Sequence, residues 1–304
     1  MTPTSGPTRV PVAEMSGFDR DLFDREYRAP ARPVVLRGAA SAWRATRAWS
    51  PEMFAERFGD VVIRPSVNLP DTEVPYKARE VDHRQTMTVR ELVARMSAGD
   101  RCYIDQAVVG MYKGLDEEYD FHSLQPPNIL TVLIWIGSRT RSGLHYDYVD
   151  NLFAQVHGTK AAILAAPEEA PNLHVFSDAH TKSQVAPQHP DLRAHPRLRR
   201  ATLMETNLDP GDVLYLPRGW WHYFASSDRS ISLSCWHGTP LGPMHDVKVM
   251  MSIRQVKPWL RLLRDFSWNG VLRRPYQQRL YSPPPTGVML YELLAGALTR
   301  KPPP

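Results

Sequence analysis

Cysteine is scarce in this sequence, which has only Cys102 and Cys235. The two residues lie far apart, and no C-x-x-C pair occurs. These facts argue against a disulfide framework and against a zinc site built from thiolates. A reduced compartment is the simplest setting, so we expect the protein to be cytoplasmic.

Long apolar runs are also absent. The longest one, residues 129–136, has the length of a strand and is too short to span a bilayer. The N-terminal residues are polar and rich in proline, without the apolar stretch of a signal peptide. We therefore expect no membrane association, and we interpret residues 1–12 as a flexible arm.

Neither sign of charge dominates, because 37 Lys and Arg against 32 Asp and Glu leave a net charge of +5. Such a mild surplus permits an anionic ligand or nucleic acid but requires neither. An apolar content of 42% with 23% charged residues excludes a chain that is disordered throughout. The sequence therefore predicts a globular protein with a sizeable core.

The periodicity of apolar residues changes twice along the chain. Before residue 100 short helical patterns are frequent, and Thr88 with Glu91 forms a capping box for one helix. From residue 101 to about 240, six short β-branched or aromatic segments alternate with turns, which predicts a sandwich or barrel. After Pro243 the helical period returns. We expect one domain over residues 13–242, a helical segment over 243–300 and a disordered tail at 301–304.

The first chemical motif is the triplet His145-Tyr146-Asp147. Residues two apart in a strand point to the same face, so His145 and Asp147 can reach one metal ion. A lone His-x-Asp triplet is weak evidence, because such triplets occur by chance. Taken alone, it is more often a pair of solvent-facing residues on a strand.

The second motif is more specific and extends from Gly211 to His222 with the spacing G-x5-P-x-G-x2-H. A Pro-Gly-Asp turn precedes an apolar strand, a Pro-x-Gly turn follows it, and His222 begins the returning strand. This arrangement resembles the second motif of the cupin superfamily, which holds the histidine at the mouth of a barrel. With His145 and Asp147 it predicts a triad of two histidines and one carboxylate, the ligand set of a non-haem Fe(II).

A longer pattern surrounds the first motif. The sequence H-Y-D-x3-N-x-F-A-Q-x2-G-x-K runs from His145 to Lys160 and resembles the jumonji C (JmjC)-type, cupin-like 2-oxoglutarate oxygenases, in particular their asparaginyl hydroxylases. The resemblance covers roughly residues 30–240. It implies a mainly β fold with a double-stranded β-helix (jelly-roll) core, flanking N-terminal helices and a C-terminal helical segment. It also makes residues 13–242 the catalytic domain.

The resemblance implies a metal centre and a co-substrate. His145, Asp147 and His222 would hold Fe(II) as the catalytic centre, and the reaction would consume 2-oxoglutarate and O2. Five residues would bind 2-oxoglutarate: Lys160, Tyr103, Ser142, Asn151 and Ser234. Lys160 would pair with the distal carboxylate, whereas Ser234 stands where the closest pattern has asparagine.

The position of Lys160 also has a physical interpretation of its own. This lysine opens an apolar segment, and a buried ammonium group is costly unless an anion pairs with it. An internal carboxylate, or a side chain that extends to solvent, would also satisfy it. Beside the triad, 2-oxoglutarate is the favoured partner.

Three residues are candidates for substrate contact: Asp105, Tyr146 and Trp221. Asp105 shares a strand face with Tyr103 and so points to the mouth, unless the position simply lies at the surface. The two aromatic residues would border the mouth, or else belong to the core.

The resemblance implies hydroxylation of a side chain in a peptide or protein, with release of succinate and CO2. A ribosomally made precursor peptide in natural-product biosynthesis is one such substrate. N-methyl demethylation and hydroxylation of a tRNA base are alternatives of the same chemistry, with nucleic acid the less favoured partner. A cupin that binds a ligand without catalysis is an alternative of another class. The apolar faces of the C-terminal helices, which build a dimer in this family, predict a homodimer.

Overall fold

The computed structural model describes residues 6–242, 244–253 and 256–299. These residues contain thirteen strands: β1 (Thr8–Pro11), β2 (Ala13–Ser16), β3 (Val34–Arg37), β4 (Val62–Ile63), β5 (Met87–Thr88), β6 (Cys102–Val108), β7 (Ile129–Ser138), β8 (Asp150–His157), β9 (Lys160–Ala165), β10 (Thr202–Leu208), β11 (Val213–Leu216), β12 (Trp221–Ala225) and β13 (Arg229–His237). They also contain seven α-helices: α1 (Arg20–Phe23), α2 (Arg44–Ala48), α3 (Pro51–Arg57), α4 (Val89–Ser97), α5 (Met244–Ile253), α6 (Val256–Arg264) and α7 (Thr286–Thr299).

Most of the strands belong to two sheets. The larger sheet has the order β2-β3-β11-β8-β13-β7-β6, and the smaller has the order β1-β10-β9-β12. Only β1–β10 and β2–β3 are parallel pairs, and the other neighbours in these sheets are antiparallel. The mainly β fold with a double-stranded β-helix core and flanking helices, predicted from the sequence, is confirmed.

Apolar side chains from both sheets meet in one cluster between them. Phe153 of β8 stacks on Phe224 of β12 with the ring centroids 4.2 Å apart. The neighbours of Phe153 in β8, Leu152 and Ala154, point to the opposite face and pack under the N-terminal helices. Since β8 is covered on both faces, its six central residues are all buried, including the polar Asn151 and Gln155.

The capping box predicted at the start of α4 is confirmed. The Thr88 hydroxyl accepts a hydrogen bond from the Glu91 backbone N–H, and the Glu91 carboxylate accepts one from the Thr88 backbone N–H. Two of the backbone donors at the helix start are thereby satisfied. The buried face of α4 then packs on the outer side of the larger sheet through Leu92 and Met96.

The flexible arm predicted for residues 1–12 is wrong for the part that the structure describes. Thr8–Pro11 forms an edge strand that pairs with β10, and Val12 is buried between the sheets. An edge strand tolerates proline, because the missing N–H falls on the side without a neighbour. The proline content that suggested a loose arm is therefore compatible with a strand at this position. The predicted tail at 301–304 lies outside the described residues.

The C-terminal segment returns to the body of the domain after α6. A π-helical turn at Asp265–Val271 continues α6, and an irregular stretch then leads to α7. In that stretch Arg279 donates hydrogen bonds to the Tyr76 carbonyl at 3.1 Å and to the Asp178 carboxylate at 2.8 Å. Leu280, next to it, is fully buried. None of the described helices is long and apolar enough to cross a membrane.

Candidate metal centre and its cavity

A cavity of about 350 Å³ lies between the two sheets, near the first residues of β8 and β12. The side chains of His145, Asp147 and His222 form part of its wall. The larger sheet contributes Tyr103, Trp135, Asn151 and Ser234 to the wall, and a loop that follows β9 contributes Thr181 and Lys182. The cavity therefore has polar and charged groups on several sides.

The three predicted metal ligands converge on one point. One ligand atom from each of His145, Asp147 and His222 lies within 4.8 Å of the others. Asp147 Oδ1 is 4.0 Å from His145 Nε2, and Asp147 Oδ2 is 3.7 Å from His222 Nε2. Within the described residues no second group of three such side chains has this spacing. Two imidazoles and one carboxylate are the donor set that suits a non-haem Fe(II), so the residues fit that ion.

Backbone pairing brings the ligands together. The His145 N–H donates to the His222 carbonyl at 3.0 Å, and the His222 N–H donates to the His145 carbonyl at 2.6 Å. The Asp147 carbonyl accepts from the Gly219 N–H at 2.9 Å, which ties it to the turn before β12. The expectation that His145 and Asp147 lie in one strand is wrong, because β8 begins only at Asp150. An antiparallel bridge from His145 to His222 and a hydrogen bond from the turn before β12 to Asp147 replace the shared strand that the sequence suggested.

The loop before His145 depends on a glycine. Gly143 has a φ of +74°, and a Cβ there would lie 2.5 Å from the Tyr76 ring. The Tyr76 hydroxyl donates to the Ser142 carbonyl at 2.7 Å, so the tyrosine is fixed against this loop. Only glycine permits both the backbone conformation and the close approach of the ring.

The histidines are prepared to bind a metal through Nε2. His145 Nδ1 lies 3.0 Å from the Gly143 carbonyl oxygen, and His222 Nδ1 lies 3.0 Å from that of Trp220. A carbonyl oxygen only accepts hydrogen bonds, so each Nδ1 carries the hydrogen and each Nε2 presents its lone pair. Burial lowers the pKa of His145 well below its ordinary value and also lowers the pKa of His222. Both imidazoles are therefore neutral, which is the state that a metal ion requires.

Four of the five residues predicted to bind 2-oxoglutarate line the cavity: Tyr103, Ser142, Asn151 and Ser234. The Ser234 hydroxyl accepts hydrogen bonds from Trp135 Nε1 at 2.9 Å and Asn151 Nδ2 at 3.3 Å. The Asn151 Oδ1 is buried and has no hydrogen-bond partner among the described residues. The Ser142 hydroxyl accepts from the Phe224 N–H at 3.0 Å.

Lys160 lies behind the cavity wall and is not among the residues that line it. Its side chain is 2% exposed, and Nζ donates to the Ser232 hydroxyl at 2.8 Å. The same nitrogen is 5.2 Å from the centroid of the Phe153 ring, which does line the cavity. No carboxylate of the described residues forms an ion pair with Lys160. Burial lowers the pKa of Lys160 to about 7, because this ammonium group lacks a compensating anion.

The three residues predicted to contact substrate occupy different environments. Asp105 lines the cavity and accepts two hydrogen bonds from Arg84, one of them at 2.6 Å, so it is not a surface residue. Tyr146 also lines the cavity, and its ring meets Trp221 edge-on at 4.9 Å. Trp221 is 1% exposed, packs in an apolar cluster and is not among the described residues that line the cavity. Because neighbours in a strand point to opposite faces, Trp221 turns into the core where His222 turns to the site. The expected place of Trp221 at the rim is thereby corrected.

Several residues of the site were missed from the sequence. Lys182 and Thr181 come from an irregular loop, and Tyr281 comes from the stretch before α7. The Tyr281 ring meets the Tyr103 ring edge-on at 5.9 Å. These positions have no repeating pattern in their neighbourhood, so the sequence contained no local signal for them. Tyr76, an aromatic residue in an otherwise polar segment, was a weak signal in the sequence for a residue of the cavity wall.

Comparisons with known proteins agree with this arrangement. The profile of a family described as "Cupin-like domain" matches residues 20–241. "Lysine-specific demethylase 8" of Xenopus tropicalis is 28% identical over 226 residues, which cover 70% of this chain and 50% of that protein. "tRNA wybutosine-synthesizing protein 5" of Danio rerio is 27% identical over 237 residues, 70% of this chain and 71% of that protein. "HSPB1-associated protein 1" of Homo sapiens is 36% identical over 110 residues, 34% of this chain and 22% of that protein. The chain spans about half the length of the first demethylase relatives.

Proposed function

The chain belongs to the cupin-like domain family, and we propose that it is an Fe(II)- and 2-oxoglutarate-dependent oxygenase that hydroxylates a side chain of a peptide or protein. The observation that carries this proposal is the convergence of His145, Asp147 and His222 within 4.8 Å in a cavity. A purely structural cluster would not need two neutral imidazoles whose Nε2 atoms both face one carboxylate. A cupin that binds a ligand without catalysis is therefore the weaker alternative.

The residues around the triad have distinct roles in this proposal. His145, Asp147 and His222 would hold the metal, with the Gly143 and Trp220 carbonyls keeping the two imidazole rings in orientation. Fe(II), when bound, supplies the redox chemistry that couples conversion of 2-oxoglutarate and O2 into succinate and CO2 to substrate hydroxylation. The apolar rings of Phe153 and Phe224 exclude water from the wall below the triad.

The co-substrate site in this proposal extends from the triad towards the larger sheet. Tyr103, Ser142, Asn151 and Ser234 offer polar groups on the cavity wall. The amino group of Lys160 is the group that most needs an anion, whereas the unpartnered Oδ1 of Asn151 is an acceptor and would need a donor. We assign Lys160 to the distal carboxylate, because its Nζ lies 5.2 Å from the centroid of Phe153, a ring of the cavity wall. A dicarboxylate would supply the counter-charge that Lys160 lacks.

A peptide or protein is the substrate class that we favour, including a ribosomally made precursor peptide. Asp105 and Tyr146 lie on the cavity wall, where they would contact it. The Asp105 carboxylate is held by Arg84, so the pair would present a fixed polar surface instead of a free charge. N-methyl demethylation and tRNA-base hydroxylation are the second candidates, because relatives are named for lysine demethylation and tRNA wybutosine synthesis.

An aerobic assay tests the proposal. The purified protein with Fe(II), 2-oxoglutarate and candidate peptides is expected to form succinate and to add one oxygen atom to a peptide, which mass spectrometry detects. Loss of a methyl group with formaldehyde release would instead identify the demethylase. If 2-oxoglutarate is not consumed under any of these conditions, the oxygenase proposal fails and the ligand-binding cupin replaces it.

We also propose that two copies of the chain associate through their C-terminal helices to form a homodimer. Met251, Trp259, Leu263, Leu293 and Leu294 are exposed apolar residues of α5, α6 and α7. Apolar surface of this kind is stabilised when a second copy covers it. Light scattering at micromolar concentration should therefore give the mass of a dimer, and a monomer mass would contradict the proposal. The cytoplasmic location stays a prediction.

A further inference from the structure

We infer that Lys182 is a specificity residue that binds the carboxylate of an acidic side chain, Asp or Glu, in the peptide substrate. The inference rests on the proposed function, because it assigns a substrate class to the same cavity. It arises from the position of this lysine beside the triad and from its lack of a partner.

Lys182 is built into the wall next to the metal ligands. Its backbone forms an antiparallel bridge with His145, which on its other side bridges His222. The Lys182 N–H donates to the Ala179 carbonyl at 2.9 Å, and its own carbonyl accepts from the Phe176 N–H at 2.9 Å. These bonds close a tight loop and fix the backbone at Lys182. The lysine is therefore part of a rigid wall and not a mobile surface side chain.

The ammonium group of Lys182 faces the cavity without an acceptor. The residue is 7% exposed and lines the cavity. Among the described residues it donates no side-chain hydrogen bond and forms no ion pair within 4.0 Å. Its Nζ lies 5.0 Å from the centroid of the Tyr76 ring, a cation–π contact. A buried ammonium group is costly unless an anion accepts its hydrogen bonds. The position of Lys182 therefore favours an anionic ligand in the cavity.

Apart from Asp147, the other charged groups of the cavity are paired with one another. Arg84 is held by Asp105 and lies 3.4 Å from Glu80. The negative charge of Asp147 favours the protonated form of Lys182, but the two side chains do not form an ion pair within 4.0 Å. In the proposed enzyme Asp147 is a metal ligand, so the metal and not the lysine would neutralise it. Lys182 is left as the cation that a substrate must match.

The position of Lys182 separates it from the proposed co-substrate site. Lys182 and Thr181 lie on the irregular loop beside His145, with Tyr76 against them. Lys160 lies under Phe153 and next to Ser232 of the larger sheet. Lys160, behind the wall, is assigned to 2-oxoglutarate in the proposed function, so Lys182 on the wall remains for a second anion. The second anion is then the substrate side chain.

A binding selection tests the inference without requiring a known substrate. The full chain, loaded with Fe(II) and 2-oxoglutarate under anaerobic conditions, is incubated with a random short-peptide library, and bound peptides are sequenced. We expect Asp and Glu to be enriched over Asn and Gln at one position by about tenfold or more, the worth of one charge-assisted hydrogen bond. Lys182→Met should reduce this ratio to about one, and Lys182→Glu should favour Lys and Arg instead. Lys113→Met, at an exposed position away from the cavity, is the matched control.

Three outcomes would overturn the inference: equal enrichment of acids and amides, an acid preference that survives in K182M with unchanged 2-oxoglutarate affinity, or an acid preference that survives in K182M with reduced 2-oxoglutarate affinity. The last result would place Lys182 at the co-substrate. Succinate formation by the unmodified enzyme is measured in parallel. Its absence would refute the proposed function, whereas an active enzyme without acid enrichment would refute only the role of Lys182.

Discussion

Asp147→Ala is expected to remove Fe(II) from the protein and to lower 2-oxoglutarate turnover by more than about 100-fold. Loss of a group that only orients a ligand already costs about 10–100-fold in metal affinity or activity, so loss of a ligand should cost more. Asp147 is the single anion of the triad, and both histidines are neutral because burial lowers their pKa values. Without it, two neutral imidazoles would face a divalent cation with no charge to balance it. Iron content per chain and succinate formation measure the two effects.

The control for this experiment is Asp116→Ala, which removes a carboxylate at an exposed position outside the cavity. It should retain iron and turnover. Asp147 is only partly buried, so its replacement should leave the fold intact, and circular dichroism checks this. An Asp147→Ala protein that folds, binds iron and turns over 2-oxoglutarate at the normal rate would show that the triad has been misassigned. His145→Ala and His222→Ala should behave like Asp147→Ala, since each removes one of only three ligands.

The parts of the site that the sequence predicted are those that local turns determine. The turn at Gly211, the short strand β11 and the turn at Gly219 lead directly into β12, so the spacing in the sequence becomes a fixed distance in space. The capping box of α4 is equally local, since its two hydrogen bonds join residues three apart. In both cases the partners are neighbours in the chain, and no long-range contact has to be known in advance.

The features that the sequence did not reveal depend on contacts between distant segments. Lys182 reaches the triad because its loop pairs with His145, and Tyr281 reaches Tyr103 from the C-terminal stretch. The edge strand β1 forms because β10 has backbone groups free to pair with it. The proline-rich sequence around β1 does not by itself predict this pairing. His145 and Asp147 were predicted together for the wrong reason, since a bridge to His222 and a hydrogen bond from the turn before β12, and not a shared strand, bring them side by side. Sequence periodicity predicts whether a segment is a helix or a strand. The places of Lys182, Tyr281 and β1 depend instead on the distant segments that pack against them.

Lys160→Met is the second substitution with a large expected effect, because it should raise the KM for 2-oxoglutarate by roughly tenfold to a hundredfold. A hydrogen bond to a charged group contributes about 1.5–3 kcal/mol, and each 1.4 kcal/mol is about tenfold in affinity. Methionine keeps the length and apolar stem of lysine, so it fills the space beside Phe153 without the charge. Lys113→Met is again the control, since it removes the same charge from an exposed position.

The pH dependence of 2-oxoglutarate affinity adds an independent test of Lys160. Burial lowers the pKa of its amino group to about 7 in the absence of an anion, so above that pH the unliganded group loses its proton. A carboxylate favours the protonated form, so binding above pH 7 must take up a proton. The affinity should then fall as the pH rises from about 7, by up to about tenfold per pH unit. The variant lacks the titrating group, so its affinity should stay flatter over the same range. Equal pH profiles and equal KM values for the two proteins would mean that the anion bound by Lys160 is something other than 2-oxoglutarate.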